Sequence, residues 1–114
     1  MTVRILLGTI SAEWKRTLLE IVHADSDLEI VGSPAEGVDL LLQAAKVKPD
    51  VVVVAQLADG GEPGICSHLL LEYPNLAVLL LPDSSEGKVL WRMVLRKESW
   101  QHASKEVLLA ALKT

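Results

Sequence analysis

The chain has 114 residues, half of them hydrophobic, and carries a net charge of −4. That length suits one domain around one core, and the acidic balance excludes a phosphate-tracking nucleic-acid face, which draws on clustered Lys and Arg. A single cysteine, Cys66, excludes an internal disulfide and suits a reducing compartment, and no apolar run approaches the ~20 residues that span a bilayer.

Val3-Arg4-Ile5-Leu6-Leu7 is a short apolar run ending at Gly8-Thr9, which predicts the first strand. Behind it Trp14, Leu18, Ile21 and Val22 recur at helical spacing, with Ser11 placed to cap. Leu28 to Val31 predicts a second strand, closed by Gly32. Ser33-Pro34-Ala35-Glu36 reads as a capping box with proline at the first helical position. The helix it starts is expected to bury Val38, Leu41, Leu42 and Ala45.

Pro49-Asp50 leads into Val51-Val52-Val53-Val54. This β-branched run does not alternate, so both its faces must be covered, as in a central strand of a parallel sheet flanked by helices. A Gly-rich loop (Asp59 to Gly64) precedes a helix through Ile65, Leu69 and Leu70 that closes near Pro74. Ala77 to Leu81 is a second fully buried strand. Asp83-Ser84-Ser85-Glu86 is expected to open a fourth helix, capped by Asp83 and carrying Trp91 and Met93. Lys97 to Gln101 is polar for a strand and belongs at a sheet edge. Ser104 caps a final helix buried through Val107, Leu108, Ala111 and Leu112. Alternating strand–helix units imply a parallel sheet with right-handed crossovers. Five units point to the flavodoxin-like order 2-1-3-4-5, whose functional crevice lies at the carboxyl ends of the first and third strands.

The order of Val3–Leu7, Asp27–Gly32, Lys48-Pro49-Asp50-Val51-Val52-Val53-Val54, Tyr73-Pro74-Asn75-Leu76-Ala77-Val78 and Ala103–Leu108 resembles the receiver domain of bacterial two-component response regulators, across essentially the whole chain. The resemblance implies a CheY-like α/β three-layer sandwich over residues 1–114, with a five-stranded parallel sheet and five helices. In that family an acidic pair after the first strand holds Mg²⁺, and an Asp ending the third strand accepts a phosphoryl group. A Thr or Ser ends the fourth strand and a Lys ends the fifth. Carried over by position, these fall on Thr9 and Ile10, on Ala55, on Pro82 and on Gln101.

Thr9 offers Mg²⁺ one neutral hydroxyl, and Ile10 and Ala55 offer no side-chain oxygen, whereas the ion favours carboxylates in tight octahedral geometry. Ala55 has no nucleophilic atom, Pro82 has neither hydroxyl nor N–H, and Gln101 carries no charge. The resemblance therefore implies a degenerate pseudo-receiver with no catalytic residue, no metal and no cofactor. Asp59 and Asp83 are nearby carboxylates, better explained by turn and cap roles.

Other residues point less far. Ser11 is read as a cap rather than a phosphate ligand, and His23, His68 and His102 are scattered without ligand spacing. Cys66 is read as a small buried hydrophobe in preference to a reactive thiol. The expectation is a non-enzymatic, cytoplasmic, bacterial signalling module that works by protein contact, alone or as the front of a longer regulator, with no direct contact to nucleic acid or membrane. The competing class is a binder of a nucleotide or other small molecule in the vacated crevice. The expected contact, to a partner or a second copy, runs through the face of the fourth helix, fifth strand and fifth helix. That face carries Trp91, Arg92, Arg96, Lys97 and Trp100.

Overall fold

The computed structural model describes residues 2–33, 37–56, 64–82, 90–94, 98–100 and 103–113, with the main chain alone at 37, 38, 65 and 98–100. The valine run is the third strand, Val51–Ala55 (β3), and lies inside the sheet between Val3–Leu7 (β1) and Ala77–Leu81 (β4), parallel to both. β1 also pairs in parallel with Leu28–Gly32 (β2), so the first four strands stand in the expected order.

The two faces of β3 explain its composition. Val51 and Val53 join Leu18 and Ile21 of helix α1 (Ala12–Ala24) and Leu108 and Leu112 of the last described helix. Val52 and Val54 join Leu40 and Ala44 of α2 (Gly37–Val47) and Leu69 and Leu70 of α3 (Gly64–Glu72). All four valines are buried, so a polar residue at any of them would lose water without gaining a partner. The α1 stripe is as expected: Trp14, Leu18 and Ile21 are buried and Val22 packs at the margin. Ser11 caps α1 by accepting the Trp14 N–H at 3.2 Å. Ser104 caps the last helix, α4 (Lys105–Lys113), by accepting the Val107 N–H at 3.3 Å.

Two expectations are corrected. Among the described side chains of α2, Leu40 and Ala44 are buried and Leu41 packs at the margin as expected, while Leu42 is 64% exposed and Ala45 faces solvent; the Val38 side chain lies outside the described residues. Apolar residues occupy most of Val38 to Val47, so the pattern did not fix the helix's rotation. The inward stripe is the one that meets Leu6, Val52 and Val54. The proposed capping box lies outside the described residues from Pro34 to Glu36.

The second correction concerns the far side of the sheet. Leu90–Met93, expected on a fourth helix, is a strand (β5) that runs antiparallel to β4, with Leu80 opposite Trp91 and Val78 opposite Met93. Glu98–Trp100 (β6) pairs antiparallel with β5 at the edge, where a polar strand was expected, as a sixth strand rather than a parallel fifth. The order is β2-β1-β3-β4-β5-β6, which keeps 2-1-3-4-5 for the first five, and the described residues contain four helices instead of five. Only residues 82–89 separate β4 from β5. A parallel neighbour needs a crossover of a dozen or more residues, whereas an antiparallel one needs only a short return. Leu90 then reaches the α1–α4 side of the core, and Met93 and Trp91 the α2–α3 side.

Candidate functional site

The carboxyl ends of β1, β3 and β4 converge at the point where strand order reverses. The ladder extends past the strand ends there. The Gly8 N–H donates to the Val53 carbonyl at 2.8 Å and the Ala55 N–H to the Thr9 carbonyl at 3.2 Å, while the Gln56 N–H donates to the Leu81 carbonyl at 2.9 Å. These bonds bring together Thr9, Ala55 and Pro82, three of the five positions singled out in the sequence. Gly8 is needed for this closeness, because a Cβ there would lie 2.7 Å from Val54 Cγ1 and 3.3 Å from the Val53 carbonyl oxygen.

The described side chains at the singled-out positions are those of Thr9, Ile10, Ala55 and Pro82. Thr9 is exposed at the loop, Ile10 is half-buried and packs on the core, and Ala55 is half-buried. Pro82 is buried, and its carbonyl accepts the Trp14 indole N–H at 2.7 Å across the core. Gln101 lies outside the described residues, as do Asp59, Asp83 and His102. Among the described residues no group of three or more His, Cys, Asp or Glu side chains stands where it could hold a metal. Cys66 is fully buried, whereas His23 and His68 are exposed on separate helices.

Trp14 is the residue at this site that sequence reasoning missed. Its place in the helical stripe marked it as core, and nothing local signalled a hydrogen bond to a residue 68 positions away. A buried indole N–H needs an acceptor, so the spare carbonyl of a proline ending a strand was the available hint.

The perturbed charges sit elsewhere in the fold. Lys113, at the end of α4, bonds Asp25 at 2.5 Å and approaches Asp27 at 3.8 Å. The Lys113 hydrogen bond, with help from the Asp27 N–H, holds the Asp25 carboxyl below the usual range, and bonding to Asp25 raises Lys113 above its usual value. This pair ties the end of α4 to the α1–β2 turn and takes no part in the crevice.

Solved structures share this architecture. The signal receiver domain of the putative response regulator NarL from Mycobacterium tuberculosis superposes with a TM-score of 0.58 at 18% identity, covering 75% of this chain and 69% of that one. The response regulator domain of Thermotoga maritima CheB gives 0.57 at 20% identity, covering 77% and 64%. The fold is that of a response regulator receiver domain. In sequence, the DNA-binding transcriptional activator DevR/DosR of Mycobacterium tuberculosis is 27% identical over 82 residues, which is 71% of this chain and 38% of that protein. A protein-glutamate methylesterase/protein-glutamine glutaminase 2 of Methanosarcina mazei is 30% identical over 83 residues, 70% of this chain and 22% of that protein. The chain thus spans less than two fifths of the length of these curated relatives. No protein-family profile matches it. No described helix of the receiver-like domain is long and apolar enough to cross a membrane.

Proposed function

We propose that this receiver-like domain is a pseudo-receiver, a non-enzymatic signalling module that acts through protein contact and does not depend on phosphorylation. The observation that carries this reading is Ala55, which ends β3 beside Thr9 at the switch point and offers no nucleophile. A phosphoryl acceptor needs an attacking atom, and Mg²⁺ needs oxygen ligands that neither Ile10 nor Ala55 supplies. Main-chain bonds draw the strand ends together and Ile10 packs inward, which favours a contact module over a crevice that holds a nucleotide.

The test is exposure to acetyl phosphate or beryllofluoride with Mg²⁺, read by intact mass and by amide NMR shifts at Thr9 and Ala55. The expected result is no adduct and no shift. The Ala55→Asp protein is expected to remain unmodified as well, because the metal carboxylates are still missing. A stable phospho-adduct on the native chain would overturn the reading.

The contact surface in this proposal is the one formed by β5, β6 and α4. Its described part is the half-buried Trp91 and Arg92 on β5, while Met93 is buried in the core and Arg96, Lys97 and the Trp100 side chain lie outside the described residues. Trp, Met and Arg are enriched at interface centres and dominate hot spots. A constitutive contact suits a domain without a phosphate switch, and the partner is another protein or a second copy, with DNA left to any further domain. Sedimentation of native and Arg96→Glu proteins at micromolar concentration, with pull-down of cognate partners, tests this surface. Unchanged assembly and unchanged partner recovery would exclude it.

A further inference from the structure

At the opposite end of the sheet, the α2–β3 and α3–β4 loops frame an open groove of about 300 Å³, the lower end of the size of ligand sites. Its walls are mainly apolar, from Pro49, Tyr73 and Pro74, and three charged residues line it: Lys48 and Asp50 from the α2–β3 loop and Glu72 from the end of α3. Lys48 is also the one described non-glycine residue with a positive φ, 48°. Glycine is the usual residue where a helix ends in this left-handed conformation.

The strained turn is held from three sides. The Lys48 N–H donates to the Ala44 carbonyl at 3.0 Å, and the Arg4 guanidinium donates to the Lys48 carbonyl at 3.4 Å. The Asp50 carboxylate accepts the Arg4 N–H at 2.9 Å, while the Asp50 N–H returns to the Arg4 carbonyl at 2.8 Å. The Asp50 carboxylate is thereby engaged with the main chain. No described side chain forms an ion pair with the Lys48 ammonium or the Glu72 carboxylate. Strain of this kind persists where the surroundings over-determine it and gathers at ligand clamps.

We propose that this groove binds a small zwitterion with an apolar body, an aromatic or aliphatic amino acid. Lys48 meets its carboxylate, Glu72 meets its ammonium, and its side chain lies against Pro49, Tyr73 and Pro74. Charge complementarity favours this class: Asp50 is held by the Arg4 N–H, so a purely anionic ligand would meet Glu72 and a purely cationic one Lys48. The site is independent of the carboxyl-end crevice and of the pseudo-receiver reading.

The experiment is an amide NMR titration of the ¹⁵N-labelled chain with L-phenylalanine and L-leucine. Two analogues lacking one charge each, 3-phenylpropanoate and 2-phenylethylamine, are titrated alongside. The expected result is saturable shifts at Lys48, Asp50 and Glu72 through Leu76, with each analogue and the Glu72→Gln protein weaker by about two- to fivefold. Lys48→Gly separates strain from binding: the melting temperature is expected to rise by about 4–8 °C while amino-acid binding weakens. No saturable shift at these residues up to about 10 mM of either amino acid, well above millimolar affinity, overturns the proposal. So do analogues that bind as tightly as the amino acids, or unchanged binding by the Lys48→Gly protein.

Discussion

Replacing Trp14 tests the tie between helix α1 and the end of β4. The indole is 3% exposed and donates to the Pro82 carbonyl at 2.7 Å. In Trp14→Phe that carbonyl is left buried without this donor, which costs about 1–3 kcal/mol. Shrinking the indole to a phenyl ring also removes two buried carbons, worth about 0.8 kcal/mol each. The sum is a loss of about 3–5 kcal/mol, a large share of the ~5–15 kcal/mol of an ordinary domain. Urea unfolding followed by circular dichroism, with linear extrapolation to water, measures it. To isolate the hydrogen bond, Trp14 is exchanged for 3-benzothienylalanine, which keeps the bicyclic shape and replaces N–H by sulfur. This variant is expected to lose about 1–3 kcal/mol by itself. A loss below about 0.5 kcal/mol, the scatter of neutral surface changes, would refute the claim that the bond secures the strand end.

The rotation of α2 predicts opposite outcomes for two leucines two residues apart. Leu40→Ala is expected to cost about 2–5 kcal/mol because it empties core space, and Leu42→Ala to stay within about 0.5 kcal/mol, both read from urea midpoints. Gly8→Ala is expected to destabilise by about 1–3 kcal/mol, since its Cβ meets Val54 and the Val53 carbonyl; an unchanged melting temperature would contradict the close approach. The Asp25–Lys113 pair sets a pH window. Asp25, with its pKa lowered by Lys113, contributes stability above the ordinary carboxylate value of about 3.9 and loses it as pH falls through its folded value. Lys113, raised by Asp25, contributes below about 10.4 and loses that contribution as pH rises through its own folded value. The urea midpoint of Lys113→Met is therefore expected to lie slightly below native between these limits and to converge with it at both extremes. A gap that persists after the Asp25 carboxyl has been protonated, followed by its NMR titration, would point to packing instead of charge.

Much of the molecule was legible because the information was local. Val51 to Val54 declared a strand covered on both faces without reference to any partner. Ser11 and Ser104 declared helix starts, since a cap is decided by a residue and the third N–H after it. The positions of Thr9, Ala55 and Pro82 were equally local: once β1, β3 and β4 were placed, the residues at their ends followed by counting.

Other features depend on contacts that no window of sequence contains. Leu90-Trp91-Arg92-Met93 has the apolar content of a helix face or a strand, and the direction of β5 followed from the short connection and the register against Val78 to Leu80. The inward side of α2 was ambiguous because apolar residues ring it, and contact with Leu6, Val52 and Val54 chose Leu40 and Ala44. The indole–Pro82 bond and the amino-end groove join segments far apart in the chain. The sequence determined which residues had to leave water and which could carry chemistry, because burial and reactivity belong to side chains. Tertiary structure decided which of them meet, because direction, rotation and long-range hydrogen bonds are selected only when the elements pack together.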